Sequence, residues 1–390
     1  MDQAEAAGTP LNGPGDGAVD GGVDLATDER WMRRAIAVAE SARGTTSPNP
    51  FVGAVVVADG VEVATGATAP VGGPHAEPRA LAAAGTRARG ATLYVTLEPC
   101  THHGRTPPCT DAIVAAGVAR VVIGMADTSP VAAGGAERLR ACGLDVATGV
   151  LGDRVLDQLE VFATVVAHDR PHVTCKLAQT IDGVTDPALR GGRWITGARA
   201  RAHVHDLRAR VAGVLVGSTT ALVDDPALTV RHAPRGATLP RPIVMDRRGR
   251  LPLDHAVVRP GAIVVTAPGA PAEWRAGLGS RGVDVVVVGS LVAGLAALVE
   301  RDVDSILAEP GPVLATALLE AGAVDRLLFH VADSTVSDRR PVEWALPVRG
   351  WTPVARRALG ADVEWEFAPP TSVASPWDAT DAATTATSSA

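Results

Sequence analysis

The sequence predicts two successive α/β domains. The chain has 390 residues, which is more than a single domain usually contains. Short apolar runs alternate with helical patterns in both halves, as in layered α/β folds. Arg170-Pro171 interrupts this alternation near the middle of the chain. We therefore predict an α/β/α sandwich over residues 27–169 and a second α/β domain over residues 170–368, with tails at 1–26 and 369–390.

Composition limits the functions that need to be considered. The net charge of -7 and the aromatic share of 3% disfavour general binding of nucleic acid or of a membrane surface. No apolar run approaches the roughly 20 residues that cross a bilayer, and the N-terminus does not resemble a secretion signal. Four cysteines in this context read as thiols or metal ligands rather than disulfides. We expect a cytoplasmic protein whose two low-complexity tails are disordered.

The first elements are a helix and a hairpin. Thr27-Asp28 offers a helix cap, apolar residues recur behind it at helical spacing, and Gly44 ends the helix. Phe51 to Ala58 is a continuous apolar run that suits a buried strand. Val61 to Thr65 can pair with it across Asp59-Gly60, a dipeptide typical of hairpin turns.

The later elements continue the alternation of strands and helices. In the first domain, strands are predicted at 91–97, 118–124 and 144–148, and helices after His75, after Cys109 and near 136–141 and 151–169. In the second domain, strands are predicted at 172–177, 213–216, 242–246, 263–267, 283–288, 306–308 and 327–331, and helices near 198–210, 291–300 and 312–321. Because strands and helices alternate, each sheet is expected to be covered by helices on its faces.

The residues with the clearest chemistry lie between Pro74 and Cys109. His75, Cys100 and Cys109 form a plausible three-ligand zinc set, which leaves a fourth tetrahedral position open for catalysis. Glu77 follows His75 by two residues and could move protons, as in zinc-dependent base deaminases. The usual signature of those enzymes has two residues between the cysteines, whereas eight intervene here. A closed zinc site or buried unliganded thiols is the structural alternative, and the combination with Glu77 disfavours it.

Longer motifs link both halves to one family. In the first half they are Thr46-Ser47-Pro48-Asn49-Pro50-Phe51-Val52-Gly53, Gly73-Pro74-His75-Ala76-Glu77 and the run from Thr96 to Cys109. In the second half they are Lys176-Leu177-Ala178, Asp182-Gly183, Trp194-Ile195-Thr196, Arg208, Val216-Gly217 and the run from Asp224 to Arg231. With these motifs, roughly residues 30–330 resemble the bifunctional riboflavin-biosynthesis deaminase/reductase family.

The resemblance implies a fold and two reactions. It implies a cytidine-deaminase-like α/β/α sandwich followed by a dihydrofolate-reductase-like α/β domain. The first would hydrolytically deaminate 2,5-diamino-6-(5-phosphoribosylamino)pyrimidin-4(3H)-one with Zn²⁺. The second would use NADPH to reduce the ribosyl group to a ribityl chain. It also suggests a homo-oligomer that binds a small phosphoribosylamino-pyrimidine.

The resemblance further assigns roles to individual residues. In the deaminase, Glu77 would be catalytic, and the substrate would be bound by Asn49, His102 and Arg105. In the reductase, the substrate residues would be Lys176, Arg208, Asp224, Leu228, Arg231 and Glu309. The cofactor residues would be Trp194, Thr196, Thr220 and Gly311.

The chain departs from the family pattern at four places. Thr68 stands where many members have a histidine, seven residues before the zinc histidine. Glu309-Pro310-Gly311 replaces Glu-Gly-Gly, and Pro310 removes a backbone N–H before a helix that should bind phosphate. A glycine pair is missing from the segment Ala332 to Asp338, and Val184 to Pro187 is unusual after Asp182-Gly183.

Three other functions stay open at this stage. The departures in the second half allow a paralogue with an active zinc deaminase and a weakened or lost reductase. A non-catalytic nucleotide-binding protein could retain the same fold. A nucleic-acid deaminase is disfavoured by the negative charge and the few aromatic residues available for stacking on bases.

Overall fold

The structure, a computed structural model, describes residues 25–104, 107–129, 132–185, 194–231, 239–335 and 348–370. Two sheets of five and nine strands follow one another along the chain, each with helices packed against it. This arrangement confirms the predicted pair of α/β units. None of the helices in the described ranges combines the length and the apolar character needed to cross a bilayer.

The N-terminal sheet is mixed and buries its strands against helices. Its strands are β1 (Gly53–Ala58), β2 (Val61–Ala67), β3 (Thr92–Leu97), β4 (Arg120–Met125) and β5 (Asp145–Thr148). Their order is β2-β1-β3-β4-β5, with β1 antiparallel to both neighbours and β3, β4 and β5 parallel. The helices are α1 (Leu25–Ala39), α2 (Ala76–Ala84), α3 (Cys109–Ala116), α4 (Gly135–Ala141), α5 (Gly152–Gln158) and α6 (Glu160–His168). Fully buried Met32, Val55, Leu93 and Ile123 illustrate the core between these layers.

Two glycines let helices approach this sheet closely. A Cβ on Gly53 would lie 2.1 Å from the carbonyl oxygen of Ala35 in α1, and one on Gly66 would lie 2.4 Å from that of Ala76 in α2. Neither position has room for a side chain, so glycine is required there. The close contact at Gly66 fixes the first turn of α2, which carries Glu77.

The C-terminal sheet is mostly parallel. Its strands are β6 (His172–Thr180), β7 (Gly213–Gly217), β8 (Arg241–Met245), β9 (Ile263–Thr266), β10 (Asp284–Val287), β11 (Ser305–Ala308), β12 (Arg326–Ala332), β13 (Thr352–Leu359) and β14 (Asp362–Ala368). Their order is β10-β9-β8-β7-β11-β6-β12-β14-β13, and only the pairings of β14 with its two neighbours are antiparallel among those described. The helices are α7 (Ala198–Arg208), α8 (Ser218–Asp224), α9 (Ala272–Gly279), α10 (Leu291–Val299) and α11 (Pro312–Glu320).

The two halves also contact each other through polar side chains. The Ser47 hydroxyl donates to Asp304 at 2.5 Å, and Arg326 pairs with Glu160 at 2.7 Å. Arg170 donates to both carboxylate oxygens of Asp325, at 2.7 and 2.8 Å. Arg170, the first residue after the expected boundary, is therefore bound to the second half. The boundary itself stays a prediction.

Several elements differ from the sequence-based expectation. The helix expected over 151–169 is two helices, which break at Leu159, where φ is −103° and the side chain is buried. Helix α1 begins at Leu25, so residues 25 and 26 of the expected tail are helical, whereas 1–24 and 371–390 lie outside the described residues. Helices α8 and α9 and the β13–β14 hairpin were not predicted.

Candidate active sites

The structure brings the three predicted zinc ligands together. His75 is the N-cap of α2, Cys109 is the first residue of α3, and Cys100 follows β3. The Nδ1 atom of His75 lies 3.3 Å from the sulfur of Cys109 and 3.7 Å from that of Cys100. All three ligand atoms lie within 4.8 Å of one another, and no other such group of His, Cys, Asp and Glu occurs in the described ranges.

These distances fit a tetrahedral zinc site. Ligand atoms about 2.0–2.3 Å from a tetrahedral zinc ion are separated from one another by about 3.3–3.8 Å. The sulfur of Cys100 also accepts a hydrogen bond from the N–H of Cys109 at 3.5 Å. Hydrogen bonds from the Cys109 thiol and the His75 imidazole hold the pKa of Cys100 well below its usual range. A buried thiolate stabilised by donors, next to an imidazole, is the donor set that zinc prefers.

Glu77 lies in the first turn of α2 and is almost completely buried. Burial raises the pKa of its carboxyl group to about 7. Proton transfer is most efficient when the pKa of the transferring group is close to the operating pH. Glu77 is therefore suited to accept and return a proton.

A cavity of about 200 Å³ opens next to these residues. Its lining includes five of the predicted deaminase residues, which are Asn49, His75, Glu77, Cys100 and His102. The Nδ1 atom of His102 is buried and has no hydrogen-bond partner in the described part of the chain. The structure thus places ring-binding candidates against the metal ligands, while Arg105 lies outside the described residues.

Two acidic residues of this site were not assigned from the sequence. Glu98 is buried, and its carboxylate accepts hydrogen bonds from the N–H groups of Asp127 at 2.9 Å and Ala136 at 2.8 Å. Asp127 lines the cavity, accepts the N–H of Ser129, and has a pKa that burial raises to about 6. Both follow adjacent parallel strands, where acidic residues often belong to a site, and this was the signal available in the sequence.

Thr68 has a structural role in the same cavity. Its hydroxyl oxygen accepts the N–H of Val52 at 2.9 Å, and its own N–H donates to the carbonyl of Val52. The side chain thus ties β2 to the residue before β1. Thr68 therefore preserves the wall of the cavity at the position of the family's histidine.

In the C-terminal half, a charged group surrounds the end of β11. Arg208 forms a two-pronged salt bridge with Glu309, at 2.6 and 2.9 Å, and also donates to the carbonyl of Thr229. Burial alone would raise the pKa of Glu309, but Arg208 and Lys176 outweigh burial and lower it. Burial lowers the pKa of Lys176. The predicted substrate residues Lys176, Arg208 and Glu309 are therefore neighbours, and the charge of Arg231 acts on nearby His205.

The other predicted reductase residues lie in different surroundings. Asp224 ends α8, and Leu228 follows it with a positive φ of 48° and a side chain buried in the core. A substrate contact of Leu228 would therefore come from its backbone. Thr220 adjoins Gly311, since a Cβ on that glycine would lie 3.2 Å from the Thr220 hydroxyl oxygen.

Two cofactor candidates precede α7. Trp194 is 52% exposed, and the guanidinium of Arg201 lies 5.3 Å from its ring centroid. Thr196 is buried, and its carbonyl accepts a hydrogen bond from Arg201 at 2.6 Å. Arg201 therefore orders this segment, whose preceding residues 186–193 lie outside the described ranges.

A buried polar cluster beside Lys176 was not predicted. Glu364 contacts the Nε2 atoms of His330 at 2.9 Å and His203 at 3.1 Å, and Arg357 at 3.3 Å. Burial would raise the pKa of Glu364, but the two histidines outweigh burial and lower it. No local pattern could reveal this cluster, because its members come from α7, β12, β13 and β14.

Comparisons with known proteins give a family match for each half of the chain. Residues 25–125 match the family described as cytidine and deoxycytidylate deaminase zinc-binding region, and residues 171–342 match the RibD C-terminal domain. Riboflavin biosynthesis protein RibD of Escherichia coli (strain K12) is 40% identical over 335 residues, which cover 80% of this chain and 90% of that protein. RibD of Aquifex aeolicus is 38% identical over 337 residues, which cover 83% and 94%.

Solved structures agree with these relatives. The chain superposes on Acinetobacter baumannii RibD, form 1, with a TM-score of 0.79 and 34% identity, over 89% of this chain and 99% of that one. A Thermotoga maritima structure described as a diaminohydroxyphosphoribosylaminopyrimidine deaminase/5-amino-6-(5-phosphoribosylamino)uracil reductase gives a TM-score of 0.75 at 34% identity. This superposition covers 88% of this chain and 99% of the Thermotoga maritima chain.

Proposed function

The chain belongs to the RibD family of bifunctional riboflavin-biosynthesis enzymes, and from this premise we propose which residues carry out its two reactions. The enzyme is a zinc-dependent pyrimidine deaminase and an NADPH-dependent reductase acting on a small phosphoribosylamino-pyrimidine. The proposed boundary between the two units is residue 169/170.

In the deaminase, His75, Cys100 and Cys109 hold the zinc ion. Zinc bound there supplies a Lewis acid that makes water nucleophilic near neutral pH. Glu77 takes one proton from the attacking water and delivers it to a ring nitrogen, and it then transfers the second proton of that water to the departing amine. Such proton transfer typically contributes about 10²–10⁴-fold in rate. Ammonia leaves, and an oxo group replaces the exocyclic amine.

The lining of the cavity orients the pyrimidine. The half-buried Asn49 can donate and accept hydrogen bonds at the ring edge, and His102 has a buried ring nitrogen free to bond with substrate. Arg105 is proposed to bind the phosphate, because a guanidinium matches phosphate oxygens in pairs. The observation that best supports the deaminase proposal is the buried Glu77 carboxylate in a cavity shared with the metal ligands.

In the reductase, the charged group around β11 binds the ribose and its phosphate. NADPH supplies the hydride that converts the ribosyl group to a ribityl chain. Within the described residues, the side-chain amine of Lys176 forms no hydrogen bond or salt bridge, so when protonated it can donate to the sugar oxygen that becomes a hydroxyl. Glu309 holds Arg208 in a fixed orientation through two hydrogen bonds. Asp224, Leu228 and Arg231 complete the proposed substrate site, and Trp194, Thr196, Thr220 and Gly311 the cofactor site.

The Glu77→Gln substitution tests the catalytic assignment. The variant should retain zinc, because the three ligands are unchanged, and should lose at least about 10²-fold in ammonia release. Zinc content by atomic absorption and ammonia release are measured on the same sample. Ammonia release at the wild-type rate would refute the role of Glu77.

A paired assay separates the bifunctional enzyme from a paralogue with a lost reductase. The deaminated product is supplied directly, and NADPH oxidation is followed at 340 nm, a standard wavelength for this cofactor. Turnover comparable to deamination excludes the paralogue. Absence of NADPH oxidation in a sample that releases ammonia would support it.

We also propose a cytoplasmic location and a homo-oligomeric state. The described structure has four free cysteines, in keeping with a reducing compartment. Sedimentation at several protein concentrations measures the oligomeric state, and a monomer at all of them would contradict the second proposal.

A further inference from the structure

We propose that Ser47 and Asp304 form a positioning pair across the two halves of the chain. In this pair, Asp304 of the second half holds the turn that carries Asn49 against the deaminase cavity, and so supports binding of the pyrimidine without touching it. This inference rests on the proposed role of Asn49 in the deaminase. It gives the C-terminal half a part in the first reaction as well as in the second.

The residues from Thr46 to Asn49 form a tight turn beside the cavity. The N–H of Asn49 donates to the carbonyl of Thr46 at 2.8 Å, and the Thr46 hydroxyl donates to the carbonyl of Asn49 at 2.9 Å. Thr46 is buried, and Asn49 lines the cavity together with the zinc ligands His75 and Cys100. The two ends of the turn are therefore bound to each other, and the orientation of Asn49 follows that of the whole turn.

The tip of this turn is held from the second half. Ser47 and Pro48 are both exposed, so packing within the first half restrains them little. The Ser47 hydroxyl donates to the Oδ2 atom of Asp304 at 2.5 Å. Ser47 and Asn49 are two residues apart, which is at most about 7 Å of chain. A contact that fixes Ser47 therefore also restrains Asn49.

Asp304 is itself fixed by the C-terminal sheet. It directly precedes β11, which lies between β7 and β6. Its carbonyl accepts the N–H of His172 at 2.8 Å, and its Oδ1 atom accepts the hydroxyl of Ser305 at 2.8 Å. The hydroxyl oxygen of Ser305 in turn accepts the N–H of Ala212 at 3.1 Å. The carboxylate is therefore oriented by a rigid element, as precise support of a binding residue requires.

A role in merely joining the two halves is the alternative interpretation of this contact. Other side chains already join them, since Arg326 on β12 pairs with Glu160 of α6 at 2.7 Å and with Glu366 of β14 at 2.7 Å. These ion pairs connect the halves without Ser47. The hydrogen bond between Ser47 and Asp304 acts on the turn, so its removal should affect the neighbouring binding residue more than the interface as a whole.

The consequence for deamination is a change in KM rather than in kcat. Without the hydrogen bond, the turn has to be ordered when the pyrimidine binds, which weakens binding. The zinc ligands and Glu77 do not belong to the turn, so the chemical step on bound substrate is unaffected. An interaction made equally in the bound and transition states raises KM when it is lost and leaves kcat unchanged.

Steady-state deamination kinetics of the full-length, zinc-loaded protein test the proposal. Ser47→Ala and Asp304→Ala remove the hydrogen bond, whereas Ser47→Thr and Asp304→Asn keep a hydroxyl donor and an oxygen acceptor. Asn49→Ala reports on the role of Asn49 itself. Asp254→Ala removes an exposed carboxylate between β8 and β9 and is the control for charge. The KM and kcat of ammonia release, the zinc content and NADPH oxidation are measured for each variant.

The expected result is a selective rise in KM. Ser47→Ala and Asp304→Ala should each raise the KM of deamination about 3–10-fold, because each removes one partly exposed hydrogen bond to a charged acceptor, and should change kcat less than about twofold. The double alanine variant should be no worse than the single variants, since all three lack the same contact. Ser47→Thr, Asp304→Asn and Asp254→Ala should keep the wild-type KM. NADPH oxidation should be unchanged, because Glu309 follows the opposite end of β11.

Three results would overturn the inference. They are an unchanged KM in both single alanine variants, additive effects in the double variant, and a loss of zinc or of NADPH oxidation in Ser47→Ala, which would show a general structural role. The Asn49→Ala variant separates this failure from that of the proposed function. If its KM rises while Ser47→Ala and Asp304→Ala behave as wild type, only the positioning pair fails. If its KM is unchanged, the proposed substrate role of Asn49 fails, and the inference with it.

Discussion

Glu98→Gln should destabilise the deaminase half because of the two backbone groups that Glu98 bonds. Its carboxylate accepts the N–H of Asp127 at 2.9 Å and that of Ala136 at 2.8 Å, and the residue is 7% exposed. A glutamine of the same shape offers one carbonyl oxygen and one NH₂ group. The NH₂ group cannot accept a hydrogen bond, so one buried N–H loses its partner.

The magnitude follows from the cost of that lost partner. A buried donor left unsatisfied costs about 1–3 kcal/mol, and a bond to a charged acceptor lies toward the upper end of this range. For a domain of this size, a loss of about 1.5–3 kcal/mol in the free energy of unfolding lowers Tm by roughly 3–12 °C. We therefore expect a shift of several degrees with zinc still bound.

Scanning calorimetry of the zinc-loaded protein measures this shift. Glu137→Gln is the matched control, because Glu137 is in the first turn of α4 and its side chain is 75% exposed. Its substitution should change Tm by no more than about 1–2 °C. A Glu98→Gln variant with the Tm of the control would show that the two hydrogen bonds do not stabilise the loop as inferred.

Three further predictions concern metal, acid and cofactor. Removal of zinc by a chelator should abolish ammonia release but preserve NADPH oxidation, because the two sites are built on different sheets; parallel loss of both activities in the paired assay would contradict this separation. Burial would raise the pKa of Glu160, but His172 and Arg326 outweigh it and hold the pKa at about 2. The stabilisation of the folded state by ionised Glu160 is therefore complete above about pH 4.5, the ordinary pKa of a glutamate, and is lost as the pH falls toward 2. Because the Glu160 side chain is 34% exposed, we discount its contribution to the free energy of unfolding to about 1–2 kcal/mol. The free energy of unfolding of Glu160→Gln should therefore depend less on pH between 5 and 2 than that of the wild type, and an unchanged dependence would refute the pairing. Pro310→Gly should tighten NADPH binding if the restored N–H reaches the phosphate, and an equal dissociation constant would show that it does not.

Much of the fold was predictable because its signals are local. Apolar runs such as Phe51 to Ala58 and the dipeptide Asp59-Gly60 have the period and turn chemistry of a buried hairpin, and the structure contains β1 and β2 there. The β13–β14 hairpin was not predicted because β13 lacks such a local signal. Seven of the eight residues of β13 are exposed, so burial imposes no alternating pattern on its sequence.

The metal centre was also predictable, since metal chemistry permits few residue types. His75, Cys100 and Cys109 were identified from type and local context, and their donor atoms do converge. The helices predicted directly after His75 and Cys109 are α2 and α3, so the sequence already indicated that these two ligands lie at helix N-termini.

Only the tertiary structure decided how distant residues share a site. The carboxylate of Glu98 became a loop anchor because Asp127 and Ala136 fold back onto it, and Glu364 reaches two histidines more than 30 residues away in the chain. Hydrogen bonds and ion pairs of this kind depend on register and packing between elements, which no short sequence pattern encodes. The sequence alone determined the two α/β units and the metal ligands. The packing of strands and helices determined which charged groups surround them, because electrostatic interactions depend on distance in space rather than along the chain.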